Sequence, residues 1–175
     1  MRVRLNSFIA MVVVILASFS IAVASSNTSN TFKTGPFTVS VNLGMPCNDI
    51  NISKPDQVET LSGDSYTDYT INACQCIIYF LRYDTPQNWR DDFGTDVIQE
   101  VLIKAGADRD TINVYDRTID GKSGAVGSGY IPKNDNQLYY AGFFVSPKSL
   151  GYIYIWDNQT EMISALKTIH VTENA

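Results

Sequence analysis

The sequence predicts an α+β fold: an antiparallel sheet of about five to seven strands flanked by two main helices. Three observations carry that prediction. Segments with period-two alternation recur along the chain, the first setting Phe37, Val39, Val41 and Leu43 against Thr38, Ser40 and Asn42. Two stretches, over about 92–105 and 159–167, instead repeat their apolar residues at helical spacing. Between them, Asp120-Gly121 is a strong hairpin signal, because a type I′ turn needs positive φ at both central positions.

The chain opens on Arg2 and Arg4, followed by an apolar run from Phe8 to Ala24 that ends in Ala22-Val23-Ala24. A positive start, an apolar middle and small residues at the end make residues 1–24 a cleaved signal peptide. The alternative is an uncleaved membrane anchor, but Ser18 and Ser20 interrupt the run. Removing 24 of the 175 residues leaves 151, enough for one domain. It also removes two arginines and no acid, so the net charge moves from −5 to −7. That balance argues against nucleic acid or an anionic membrane surface as a partner.

Residues 25–34, rich in Ser, Asn and Thr, read as a flexible polar lead, and 35–172 as a single domain. Gly35-Pro36 punctuates the entry to that domain. Residues 48–65 read as loop, with one short strand near Val58–Leu61. Tyr66 to Tyr83 reads as the longest strand, apolar on both faces toward its centre. In the first helix Phe93, Val97, Ile98, Val101, Leu102 and Ala105 form the stripe, Thr95 is a possible N-cap and Gly106 fits the C′ position. Thr111–Ile119 reads as a strand running into the Asp-Gly turn. The segment through Ile131 stays extended although it holds Gly124, Gly127 and Gly129, which implies a bulge, a bend or the close approach of another backbone. Asn134-Asp135-Asn136 is a second turn, and Gln137–Ser146 and Tyr152–Trp156 complete an aromatic meander. Asn158 with Glu161 forms a capping box in variant form at the start of the last helix, whose stripe is Met162, Ile163, Leu166 and Ile169.

Candidate chemistry is sparse. His170, the single histidine, would have to serve any Ser–His or Cys–His nucleophile, and its place beside Ile169 and Val171 fits a structural residue better. Cys47, Cys74, Cys76 and His170 form only a loose metal-ligand pattern, and no metal or cofactor is implied. In an oxidising compartment the cysteines are disulfide candidates. A bridge from Cys47 to Cys74 or Cys76 is more plausible than one between those two, while three buried thiols is the competing reading. Asp91-Asp92, Asp108 with Asp110, Asp116 with Asp120, and Asp135 match no calcium loop and are best read as surface and turn residues. The three glycines do not make a phosphate cradle, because Tyr130-Ile131-Pro132 continues as strand. Asn27, Asn51 and Asn158 begin glycosylation sequons. The best-motivated feature is the crowd of aromatics in the meander. Tyr130, Tyr140, Tyr152, Tyr154 and Trp156 are candidate binding residues, able to stack a sugar ring or anchor a protein.

The segment from Arg117 through Ile119-Asp-Gly-Lys-Ser-Gly-Ala-Val-Gly-Ser-Gly-Tyr130, with the ending Leu166-Lys-Thr-Ile-His-Val171, resembles a signature of small exported archaeal proteins of uncharacterised function. The element order resembles the PsbP-like fold, a central antiparallel sheet flanked by helices. That likeness implies a binding or assembly factor and brings over no ligand residue. The expectation is therefore an exported, non-catalytic cell-surface or extracytoplasmic domain that binds a protein or glycan partner. A small carboxylate-dependent hydrolase and a purely structural envelope component are the alternatives. No nucleic acid is expected as a partner, and a membrane only if residues 1–24 stay attached.

Overall fold

The computed structural model describes residues 29–59, 65–89 and 93–174. The expected signal peptide, the first residues of the polar lead, Asn27, Asp91-Asp92 and the end of the Val58–Leu61 segment lie outside the described residues. What is described is mostly β: 54% of it is strand and 17% helical. The α+β expectation, with its PsbP-like sheet of five to seven strands, is thereby overturned. Eight strands form one sheet and three form a second.

The large sheet is antiparallel throughout. It comprises β3 (Ile50–Ile52), β4 (Asp56–Glu59), β5 (Ser65–Ala73), β6 (Cys76–Tyr83), β7 (Asn113–Ile119), β8 (Lys122–Ile131), β9 (Asn136–Ser146) and β10 (Ser149–Trp156). Its order is β3-β5-β6-β10-β9-β8-β7, with β4 also pairing β5. The strands from Asn113 to Trp156 form the expected meander, and Asp120 and Gly121 carry the turn at φ 51 and 73. The small sheet has the order β1-β2-β11, from β1 (Asn30–Thr34), β2 (Phe37–Val41) and β11 (His170–Glu173). Of the polar lead expected to be flexible over 25–34, Asn30–Thr34 is strand.

One long strand was expected over 66–83, and a hairpin stands there. Cys74, at φ 56, turns the chain, and its N–H donates to the Asp49 carbonyl. The reversal is held by a disulfide from Cys47 to Cys74, with Cα atoms 5.8 Å apart. A cysteine carries no turn signal in sequence, so tertiary bonding outvoted local propensity.

Alternation gives the large sheet two unlike faces. One, the sandwich face, presents Ile71, Ile78, Phe80, Ile153 and Ile155, all 0% exposed. Phe37, Val39 and Val41 of the small sheet close over it, with the Phe37 and Phe80 rings stacked 4.5 Å apart. Helix α2 (Gln159–Thr168) completes that cover through Met162, Ala165 and Leu166. Asn158 caps it as expected, accepting from the Glu161 N–H and donating to the Glu161 carboxylate. Ile163 of the expected stripe is 40% exposed.

Helix α1 (Thr95–Lys104) lies on the other face, over β7, β8 and β9. Gly94 rather than Thr95 occupies its N-cap position, and Ile98 and Leu102 are its buried residues. At its end the Gly106 N–H meets the Ile103 carbonyl and the Ala107 N–H meets that of Leu102, a Schellman motif closed by glycine at φ 91. Gly127 and Gly129 owe their place to this helix and the residues that follow it, whereas Gly124 is crowded by the Gly142 carbonyl and Phe143 of β9. A Cβ on Gly127 would stand 2.7 Å from Ile98 and 2.9 Å from Leu102, and one on Gly129 would stand 2.8 Å from Ala107.

Candidate functional site

Helix α1 covers only half of its face. On the β5–β6–β10 half, the strands whose sandwich side is fully buried show half-exposed rings on the other side. Tyr66, Tyr79, Tyr83, Tyr154 and Trp156 are all partly exposed there, whereas Ile78, Phe80, Ile153 and Ile155 behind them are sealed. The sheet register brings these rings together. Tyr152 pairs Tyr79, Tyr154 pairs Tyr140 across the next strand, and Tyr66 pairs Tyr83.

The rings support one another. Tyr79 stacks on Tyr152 at 4.8 Å, Tyr140 on Tyr154 at 6.1 Å, and Tyr66 tilts against Tyr83 at 5.4 Å. Each such pair contributes about 0.5–1.5 kcal/mol beyond the area it buries. The hydroxyls of Tyr79 and Tyr140 hydrogen-bond to each other. Tyr140 and Tyr152, at 4% and 7% exposed, form the floor, and Tyr79, Tyr154 and Trp156 form the accessible layer above it. Burial raises the phenols of Tyr140, Tyr152 and Tyr154, and pushes that of Tyr79 up to about 12 even though its bond to Tyr140 works the other way. The plate is therefore neutral at physiological pH.

Polar groups flank it on two sides. Asp68, Thr70 and Asn72 share the face of Tyr66 along β5, and the Thr70 hydroxyl donates to Asp68 at 3.0 Å. At the far end Trp156 borders a recess of about 410 Å³ that is also lined by Gln75, Asn134, Asn136 and Asp157. From Trp156 to Tyr83 the strip runs about 25 Å, eight residues at strand rise. Such a surface can stack on flat or apolar ring faces and hydrogen-bond to hydroxyls at its margins.

Four of the five expected binding residues, Tyr140, Tyr152, Tyr154 and Trp156, meet on this face. Tyr130 does not. It neighbours Ile131, which packs under α1, so alternation turns it to the opposite side, where its hydroxyl donates to Asp135 at 2.6 Å. Tyr66, Tyr79 and Tyr83 are site residues that the sequence reading missed. Reading 66–83 as one strand put Tyr66 and Tyr79 on no common surface with the meander, and only the Cys74 turn brings them there.

The remaining candidates have structural surroundings. His170 Nδ1 lies 2.9 Å from Asp120 Oδ1 on an exposed ring, and among the described residues no serine or cysteine bonds to it. Asp108 accepts from the Asp110 N–H, and Asp120 and Asp135 sit in turns at positive φ. Cys76 is a buried free thiol, pushed up by burial and then by the Glu161 charge. Among the described residues no three His, Cys, Asp or Glu side chains gather as a metal site requires. Asn51 is exposed on the short strand β3, whereas the Asn158 amide is committed to the α2 cap. The disulfide is consistent with an oxidising, extracytoplasmic setting.

Comparison of the chain with protein-family models, with characterised proteins and with solved structures found no match.

Proposed function

We propose that this protein is an exported, non-catalytic binding module whose aromatic sheet face receives a glycan at the cell surface. The observation that carries the reading is the open half-face itself. A floor of Tyr140 and Tyr152 holds Tyr79, Tyr154 and Trp156 half-exposed beside amides and hydroxyls. Stacked rings have little freedom left to lose on binding, which favours a preformed platform. Sugar rings present apolar C–H faces edged by hydroxyls. The aromatic strip would meet the first, and Asn134, Asn136, Gln75, Asp68 and Asn72 the second. Export rests on residues 1–24 and agrees with the disulfide.

The test is a glycan array probed with the secreted form, followed by titration of whatever is retained. Tyr154→Ala and Trp156→Ala should each weaken binding about tenfold or more. Tyr115→Ala, 47% exposed on a different part of the surface, should leave it unchanged. Retention of no glycan, or turnover of a sugar or ester by the wild-type chain, would overturn the proposal. Capture of a protein with the same sensitivity to Tyr154 and Trp156 would reassign the face to a protein partner.

A further inference from the structure

An open cavity lies elsewhere among the described residues, on the sandwich side, where strand β11 leans against the ends of β6 and β9. It is an open depression of about 570 Å³, a volume within the range of small-molecule sites. Three cations from separate elements line it: Arg82 of β6, Lys122 of β8 and Lys148 of the β9–β10 turn. Among the described residues the lining contains one acid, Glu173. In a chain that carries a clear acidic excess, this is a local reversal of sign.

Its charges are not equally engaged. Arg82 donates Nε to Glu173 at 2.8 Å, so these two largely cancel. Burial works to raise the Glu173 carboxyl, but the Ser146 hydroxyl, Arg82 and the Ser149 hydroxyl outweigh it, so Glu173 stays ionised and Arg82 stays matched. Lys122 is matched in the same way by Asp120 at 2.7 Å. Lys148 differs. Its ammonium donates to the backbone carbonyl of Asp84 at 2.8 Å, and among the described residues no carboxylate pairs with it. Among the described residues the cavity thus holds one uncompensated positive charge, and Val145, Pro147 and Val171 supply apolar wall.

We propose that this cavity binds a carboxylate carried on an apolar body, with Lys148 as its principal counter-charge. A single surplus cation suits a monoanion, and the apolar wall suits a hydrophobic stem; a multiply charged anion would meet Glu173. The carboxylate of a small organic acid and that of a polypeptide C-terminus share this chemistry. The site lies on the opposite side of the sheet from the aromatic strip and does not depend on the glycan reading.

The experiment is a titration of the secreted protein, followed by amide NMR shifts, with benzoate, with its neutral analogue benzamide and with an acetylated tripeptide bearing a free C-terminus. Benzoate should saturate a set of shifts around Lys148, Val171 and Glu173, and benzamide should bind about tenfold more weakly, the loss of one charge-assisted bond. Lys148→Gln should lose about the same factor with an unchanged melting temperature, and Lys148→Arg should restore binding. Tighter binding of the tripeptide than of benzoate assigns the carboxylate to a polypeptide end; the reverse assigns it to a small acid. Absence of saturable shifts with either acid, equal binding of benzamide, or an unchanged Lys148→Gln would overturn the assignment.

Discussion

Asp120 illustrates how much one residue holds. It takes positive φ in the β7–β8 turn, accepts the Val171 N–H at 2.9 Å, and faces Lys122 and His170. Burial works to raise its carboxyl, but Lys122, the Val171 N–H and His170 together bring it below its ordinary value. A carboxyl lower in the folded than in the unfolded chain stabilises the fold above about pH 4 and loses that contribution as pH falls through the folded value. Asp120→Ala should cost about 2–3 kcal/mol in urea unfolding, since it also strands the Val171 N–H and places Ala at positive φ. Asp120→Asn keeps the turn and an acceptor and should cost about 1 kcal/mol, with a flatter acid limb. Tyr79 makes the opposite pH argument. Its folded value, about 12, stands above the unfolded one, so its contribution is complete at neutral pH and is lost as pH rises from about 10 toward that value. Phenolate absorbance should show a late-titrating class that shrinks in Tyr79→Phe. Titration of all the tyrosines near the free value would contradict the stacked plate.

At the level of elements, the contact between α1 and β8 is set by missing side chains. Gly127→Ala would push a methyl into Ile98 and Leu102, and overpacking of this kind costs about 1–3 kcal/mol. Hydrogen exchange should show α1 loosened while β2 and β10 keep their protection; equal loosening of both layers would mean that α1 is not a separable cover. What was legible in the sequence follows the same division. The Asp120-Gly121 turn, the meander, the Asn158 cap and the Gly106 stop were readable because each is written in adjacent residues. Strands β1, β3 and β11 were not read as such, and β4 only in part by the short strand expected near Val58–Leu61, because all four are only three to five residues long and mostly outward-facing, so no apolar alternation marks them. The aromatic face was half legible: its β9–β10 rings share a local pattern, while its β5–β6 rings depend on a bond between Cys47 and Cys74.

For the whole molecule, that bond closes a span of 27 residues and keeps the β5–β6 hairpin against the chain that precedes it. By chain entropy a loop of this size is worth about 3–4 kcal/mol. Replacing Cys47 and Cys74 by Ser together should lower the urea unfolding free energy by about that amount. Native protein should show no thiol reactive toward an aromatic disulfide reagent, and the unfolded chain one, from Cys76. A loss well below 1 kcal/mol would show that the hairpin is held by its sheet contacts alone.

The small sheet has a practical bearing on how such a protein is handled. Both β1 and β11 flank β2, so the first and last described strands belong to the same layer. That layer backs the sandwich side. A linker joined directly ahead of β1 or after β11, whether to a bead, a sensor chip or a cell envelope, leaves from behind the large sheet. The tyrosine surface then points toward whatever flows past.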